Sequence, residues 1–164
     1  ELFLTDKYLV NRGIRGYKTD LLDHHLDAHI FGQVVDKVFL LIGTNDIGKE
    51  MPLSETIDHM TSILQQIVRL LPLAQIKLLS VLPVNEGAIY KGTVYIRSNQ
   101  KIQALNQAYR DLAEGMVNVE FIDVFDCLLG ADGQLKPAYT TDGLHLTLEG
   151  YRVLNGFKKN YKTS

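Results

Sequence analysis

An aspartate and a histidine stand three residues apart in the segment TTDGLHLT, where Asp142 precedes His145. At this spacing a carboxylate can accept a hydrogen bond from one imidazole nitrogen, which fixes the tautomer and leaves the other nitrogen free to take a proton from a hydroxyl. The pair is therefore a candidate for general-base chemistry. The alternative is an Asp-Gly turn followed by a surface histidine. A metal pair is less well supported, because companion ligands are lacking.

Two glycine-containing segments could provide hydrogen-bond donors for a developing oxyanion. In GTNDIGK the carboxamide of Asn45 can donate, and in NRGIRGYKT either Gly13 or Gly16 could bring a backbone N–H close to a ligand. Asparagine and glycine are also ordinary turn residues, so each segment alone is better explained as a simple turn between a strand and a helix. These segments favour catalysis only when they are taken together.

Two further polar clusters need a functional and a structural interpretation. The segment PVNEGAIYKGTVYIRS is either a substrate loop or a plain surface loop, and it contributes Asn85, Tyr90, Tyr95 and Arg97. The segment DLLDHHLDAH has acidic and histidine side chains at helical spacing, but a solvated helix face explains them better than a metal site does. We therefore predict no metal site.

The elements that position these residues alternate between strands and helices. Four apolar runs rich in branched or aromatic residues predict strands, at Tyr8 to Val10, Val38 to Ile42, Ile76 to Leu82 and Val119 to Val124. The second and third runs are nearly continuous, as in parallel strands that helices cover on both faces. Each candidate segment follows such a run, at the edge where open α/β sheets bind ligands.

Helical spacing of apolar residues predicts the intervening helices. One face runs from Ile57 to Leu71 before Pro72, and a second runs from Ile102 to Leu112 with Gly115 as the C-terminal cap. A shorter helix is expected over Thr19 to Ala28. Thr147 can cap a last helix that buries Leu154 and Phe157. The alternation indicates a doubly wound, parallel α/β sheet.

Length and composition narrow the class of protein. The 164 residues suit one domain, 1–164, and no apolar run approaches the length of a membrane span. With 17 basic and 19 acidic side chains and no basic block, nucleic acid is not expected as a partner. The lone cysteine, Cys127, excludes an intrachain disulfide and suits a reducing compartment, so a cytoplasmic location is expected. The oligomeric state stays open, with a homodimer as one possibility.

In their order along the chain, these segments resemble the conserved blocks of the SGNH (GDSL-like) hydrolase superfamily, especially its platelet-activating-factor acetylhydrolase-like branch. The resemblance implies a three-layer α/β/α fold with a flavodoxin-like parallel sheet. It also implies that Gly16 and Asn45 are oxyanion donors, that His145 is the general base and that Asp142 orients it. Arg15 and Tyr17 flank Gly16 where many relatives have small or acidic residues, and either side chain could overhang the pocket.

The family's first block, a Gly-Asp-Ser turn that presents the nucleophile, is absent from this sequence. None of the serines, at positions 54, 62, 80, 98 and 164, lies in a glycine-flanked elbow, and Cys127 has apolar neighbours typical of a buried cysteine. We expect the serine, together with the first, central strand of the sheet, to precede Glu1. A buried sheet without that strand would leave unpaired backbone groups, each costing about 1–3 kcal/mol.

The resemblance therefore implies an ester hydrolase for small acylated substrates, which works through an acyl-enzyme and needs no cofactor. The 164 residues alone are expected to be inactive. The main alternative is a ligand-binding domain of the same fold without a nucleophile. A flavodoxin-like mononucleotide binder is disfavoured, because no phosphate loop follows the first strand.

Overall fold

The computed structural model describes residues 10–30, 32 and 35–159, with side chains as far as residue 156. In this part of the chain three strands form a parallel sheet in chain order: β1 (Lys37–Leu40), β2 (Gln75–Leu79) and β3 (Val119–Ile122). Leu40 pairs with Leu78, and Leu78 pairs with Phe121. The predicted strand at residues 8–10 lies outside the described residues, except Val10, which has irregular backbone.

Six helices accompany the strands in the described part of the chain. They are α1 (Thr19–Ile30), α2 (Thr44–Gly48), α3 (Leu53–Leu70), α4 (Lys91–Val94), α5 (Asn99–Glu114) and α6 (Leu148–Lys159). Short 3-10 turns occur at Ala88–Tyr90, Asp126–Leu128 and Pro137–Tyr139. The predicted ends are confirmed: α3 stops before Pro72, Gly115 is the C-cap of α5, and the Thr147 hydroxyl accepts a hydrogen bond from the N–H of Gly150 at 3.3 Å.

The two faces of the sheet carry separate apolar clusters, because side chains alternate between the faces of a strand. Leu40, Ile76 and Leu78 pack in one cluster with the buried faces of α1, α3 and α5. Leu79 and Ile122 pack on the opposite side with Leu154 of α6. The arrangement is a three-layer α/β/α fold, as predicted. The side chain of Phe157, predicted to be buried with Leu154, lies outside the described residues.

The strands are shorter than the sequence predicts, and the third run shows why. β2 ends at Leu79 because β1 and β3 provide no pairing residues beyond Leu40 and Ile122. Past that point two asparagines of α5 replace a strand: Asn106 bonds both backbone groups of Val81, and Asn99 bonds both backbone groups of Val84. These contacts fix the start of the connection between β2 and α5, which we call the β2–α5 connection (residues 80–98).

None of the described helices is both long and apolar enough to cross a membrane.

Candidate active site

Asp142 and His145 form a tight pair in the loop before α6. The Asp142 Oδ2 and His145 Nδ1 atoms are 2.6 Å apart. The second carboxylate oxygen, Oδ1, accepts the backbone N–H groups of Leu144 at 3.0 Å and of His145 at 2.8 Å. The loop turns at Gly143, whose φ of 81° is open to glycine at little cost. Local backbone geometry thus holds the carboxylate against the imidazole.

The charge state of Asp142 follows from these contacts. Partial burial disfavours its ionised form, but the hydrogen bonds from the His145 side chain and from the backbone N–H groups of His145 and Leu144 outweigh that effect and lower the pKa from 3.8 to about 2. An ionised carboxylate can only accept, so the proton lies on Nδ1 of His145. Its Nε2 has no partner among the described residues, and the side chain is 59% exposed. The imidazole can therefore accept a proton at Nε2.

The loop that carries this pair is docked on the β2–α5 connection. The N–H of Asn85 donates to the carbonyl of Gly143 at 2.8 Å, and the N–H of Gly143 donates to the Thr140 hydroxyl at 2.9 Å. A Cβ atom on Gly143 would lie only 2.6 Å from Cβ of Tyr90, so only glycine allows this close approach. Asn85 and Tyr90 thus support the Asp142 loop directly.

Both polar atoms of the Asn85 side chain form hydrogen bonds within the protein. Asn85 is 6% exposed, its Nδ2 donates to the carbonyl of Leu135 at 2.8 Å, and its Oδ1 accepts the N–H of Gly87 at 3.0 Å. Substrate contacts by Asn85 and Tyr90 stay predictions, whereas their support of the loop is a finding that the sequence did not indicate. Tyr95 is exposed and has φ of 56°.

Asn45 lies in the first turn of α2, directly after the end of β1. Its Oδ1 accepts from Nη2 of Arg97 at 3.3 Å, and its Nδ2 donates to the carbonyl of Tyr17 at 3.1 Å. Because arginine has only donors, the amide oxygen must face Arg97 and the NH2 group must face Tyr17. One N–H of that group is used by Tyr17, which leaves the other available to a ligand.

The turn that contains Gly16 lies beside this amide, since Asn45 bonds the residue that follows it. Gly16 has φ of 81°, and the described residues provide no acceptor for its N–H. Arg15 is exposed, whereas Tyr17 is half-buried and meets the ring of His29 edge-on at 5.6 Å. The structure therefore brings the two predicted oxyanion donors together, with Arg15 and Tyr17 flanking them.

A buried carboxylate that sequence reasoning missed joins the same two segments. Asp46 is fully buried, and its Oδ1 accepts both the N–H and the hydroxyl of Thr19, the first residue of α1. Burial raises the pKa of Asp46, and the Thr19 hydrogen bonds oppose that shift. A carboxylate at a helix N-terminus is favourable. Asp46 thereby holds the start of α1 against α2. Because the Gly16 turn precedes α1 and Asn45 lies in α2, the same contact keeps these two segments together.

Arg97 belongs to the loop predicted to contact substrate, but its guanidinium is directed at the protein. Nε donates to the carbonyl of Thr44 at 2.9 Å, and Nη1 lies 3.4 Å from the carbonyls of both Thr93 and Val94. Burial lowers the pKa of Arg97. A substrate contact by Arg97 stays a prediction.

The β2–α5 connection links the two halves of the candidate site. Tyr90 packs against the Asp142 loop, and Arg97, further along the same connection, bonds the Asn45 loop. The Asn45 loop follows the carboxyl end of β1, where open α/β sheets bind ligands, and the Asp142 loop lies between the Pro137–Tyr139 turn and α6. This arrangement could support acyl transfer if a nucleophile were added.

Three of the four described serines form hydrogen bonds away from the candidate site. The hydroxyl of Ser80 accepts the N–H of Val124, Ser98 caps α5, and Ser62 contacts Gln66 within α3. Ser54 lies in the first turn of α3. Burial raises the pKa of the Cys127 thiol, which disfavours the thiolate needed for attack. Within the described residues, no group of three or more His, Cys, Asp or Glu side chains is placed to hold a metal ion.

Several known proteins are similar to this chain. The sequence profile of the GDSL-like lipase/acylhydrolase family matches residues 3–153. A solved structure from Streptococcus pneumoniae, provisionally named a platelet activating factor, is 57% identical with a TM-score of 0.93, and the match covers 96% of this chain and 73% of that one.

Two curated relatives are more distant. The GDSL esterase/lipase WDL1 of Oryza sativa subsp. japonica is 26% identical over an alignment of 147 positions, and the match covers 74% of this chain and 56% of that protein. An N-acylneuraminate cytidylyltransferase of Escherichia coli is 30% identical over 153 residues, which are 92% of this chain and 34% of that protein. The chain thus spans about half or less of the length of these curated relatives.

Proposed function

Because the chain belongs to the GDSL-like lipase/acylhydrolase family, we propose that it is the body of a carboxylic ester hydrolase that acts on small acylated substrates through Ser-His-Asp chemistry. In this proposal residues 1–164 form one domain, and the serine comes from residues that precede Glu1, as the family's Gly-Asp-Ser block implies. The esterase name of the rice relative supports the reaction class.

The proposed reaction uses each candidate residue at a stated atom. Nε2 of His145 takes the proton from the serine hydroxyl as its oxygen attacks the ester carbonyl carbon, and Asp142 stabilises the imidazolium that forms. The tetrahedral oxyanion accepts hydrogen bonds from the Gly16 N–H and the free N–H of Asn45. His145 then returns the proton to the leaving alkoxide, which leaves an acyl-enzyme. Water then attacks the acyl carbonyl carbon while Nε2 of His145 takes its proton. His145 returns that proton to the serine oxygen, which releases the acid and restores the serine.

The observation that carries this proposal is the pair formed by Asp142 and His145, 2.6 Å apart, with Nε2 of the imidazole free of partners in the described structure. A domain that only binds a ligand has no need of an imidazole held in one tautomer by a carboxylate. The placement of Asn45 beside the Gly16 turn adds support, because each residue keeps an N–H without an acceptor among the described residues.

The test is hydrolysis of a short-chain aryl ester by protein expressed from the complete reading frame. Asn45→Ala removes one oxyanion donor and should lower kcat on the order of 100- to 1000-fold with little change in KM. Asn155→Ala in α6 is the matched control and should retain the wild-type kcat. Thermal unfolding of both variants separates a catalytic loss from a loss of folded protein. An Asn45→Ala variant that is folded and as active as the control would contradict the proposed oxyanion hole.

A further inference from the structure

The environment of Arg97 is unusual for a half-buried cation. Arg97 has no ion-pair partner within the described part of the chain, and its donors go to three backbone carbonyls and to Oδ1 of Asn45. Burying a cation without a carboxylate is costly. Four hydrogen bonds nevertheless converge on it, and one of them ends on a residue of the proposed oxyanion hole.

We propose that Arg97 is a positioning residue that orients and polarises the Asn45 amide, and that Gly48 is the residue that makes room for its guanidinium. This inference rests on the proposed function and adds to it a group that acts through Asn45 without contacting substrate.

The orientation follows from donor chemistry. An amide side chain can rotate so that its oxygen and nitrogen exchange places, and in the exchanged state Asn45 would present its oxygen to an oxyanion. Arg97 excludes that state, because its Nη2 can only donate and therefore requires the amide oxygen on its side. The carbonyl of Tyr17 requires the NH2 group on the other side. Together the two contacts keep an N–H directed away from both.

Polarisation follows from the same contact. A cation that donates to the amide oxygen draws electron density toward it, which makes the N–H groups of that amide stronger donors. The Asn45 hydrogen bond to a developing negative charge is strengthened as a result. Charge-assisted hydrogen bonds are roughly twice as strong as neutral ones. Arg97 would thus contribute to the transition state through Asn45.

Gly48 shows how the guanidinium fits over α2. A Cβ atom at this position would lie 2.0 Å from Nη2 and 2.2 Å from Cζ of Arg97. Gly48 is not among the positive-φ glycines, so its backbone conformation is open to alanine. The clash is with the end of a flexible side chain and not with backbone. Alanine should therefore displace the guanidinium and leave the fold intact.

The first experiment exploits this clash in the complete protein. Gly48→Ala should lower kcat for an aryl ester on the order of 10- to 100-fold, the range seen when an outer partner of a functional group is lost, with KM unchanged. The matched control is Gly156→Ala in α6, since a Cβ at Gly156 meets nothing within 4 Å. The control should keep the wild-type kcat, and both variants should unfold at temperatures close to that of the wild type.

The second experiment is a double-mutant cycle between Arg97→Met and Asn45→Ala. If Arg97 acts through the amide, Arg97→Met lowers kcat in the wild-type background and causes almost no further loss once Asn45 is alanine. A merely structural role would cost the same in both backgrounds. Equal losses in the two backgrounds, or a folded Gly48→Ala variant with wild-type kcat, would overturn the inference.

These results are separable from a failure of the proposed function. If Asn45→Ala is impaired while Gly48→Ala and Arg97→Met are not, the oxyanion hole stands and the role of Arg97 is wrong. If Asn45→Ala has wild-type activity, the oxyanion hole itself is wrong, and the role of Arg97 is overturned with it.

Discussion

Replacing His145 by alanine is expected to lower kcat/KM for a short-chain aryl ester on the order of ten thousand- to a million-fold, the range for loss of a general base that acts as a unit with its nucleophile. In the structure Nε2 of His145 has no other partner in the described residues, and the side chain is 59% exposed. The variant should therefore lose little stability. Steady-state hydrolysis and thermal unfolding of the complete protein measure both quantities.

His24→Ala is the matched control for this experiment, because His24 is an exposed histidine on α1. It should retain the wild-type rate. A His145→Ala variant that is folded and hydrolyses the ester as fast as the His24→Ala control would rule out His145 as the general base.

Replacing Asp142 by asparagine should lower kcat about ten thousand-fold by reversing the imidazole tautomer. Oδ1 of Asp142 accepts two backbone N–H groups, from Leu144 and His145. In the variant the asparagine oxygen must stay on those donors, which turns its NH2 group toward Nδ1 of His145. Nδ1 must then accept, so the proton moves to Nε2 and the imidazole can no longer accept a proton there.

Two measurements check this prediction. Nitrogen-15 NMR of His145 should show the proton on Nδ1 in the wild type and on Nε2 in Asp142→Asn, with hydrolysis reduced in parallel. Asp132→Asn is the matched control, because Asp132 also accepts a backbone N–H two residues along, from Gln134, but forms no hydrogen bond with a histidine. Unchanged hydrolysis in a folded Asp142→Asn variant would contradict the assigned role.

Protonation of Asp142 should make no contribution to the pH dependence of hydrolysis above about pH 4. With its pKa lowered to about 2, Asp142 is ionised at any pH above about 4. A loss of wild-type activity between about pH 7 and pH 5 therefore has to come from a group other than this carboxylate.

Features set by local sequence could be predicted. The helix from Leu53 to Leu70 follows from apolar spacing ended by a proline, and the contact between Asp142 and His145 follows from a spacing of three residues across a glycine turn. In each case the interacting groups are close in sequence. The resemblance to the GDSL-like family was also correct, since the family profile matches residues 3–153.

The features that sequence reasoning missed depend on contacts between distant residues. Thr19 and Asp46 are 27 residues apart, and Asn45 and Arg97 are 52 apart. No local pattern marks such partners. The best available signal for the contact with Thr19 was Asp46, which follows Asn45. A carboxylate that is buried close to the end of a strand needs a hydrogen-bond partner.

The strand ends show the same limitation. The apolar run continues to Leu82, which predicted a longer strand, but a strand needs a neighbour and β3 has none to offer beyond Ile122. After the end of β2, the backbone N–H groups of Val81 and Val84 donate instead to the side chains of Asn106 and Asn99 in α5. Side-chain amides that substitute for a strand cannot be recognised from hydrophobic patterning.

The most direct test of the account is a crystal structure of the complete protein after reaction with a fluorophosphonate that labels nucleophilic serines. One labelled serine is expected, located before Glu1, with the phosphonyl oxygen bonded to the Gly16 N–H and to Nδ2 of Asn45 and with Nε2 of His145 facing the serine oxygen. A label that forms with its phosphonyl oxygen remote from Asn45, or with His145 turned away from it, would contradict the claim that these residues form one active site.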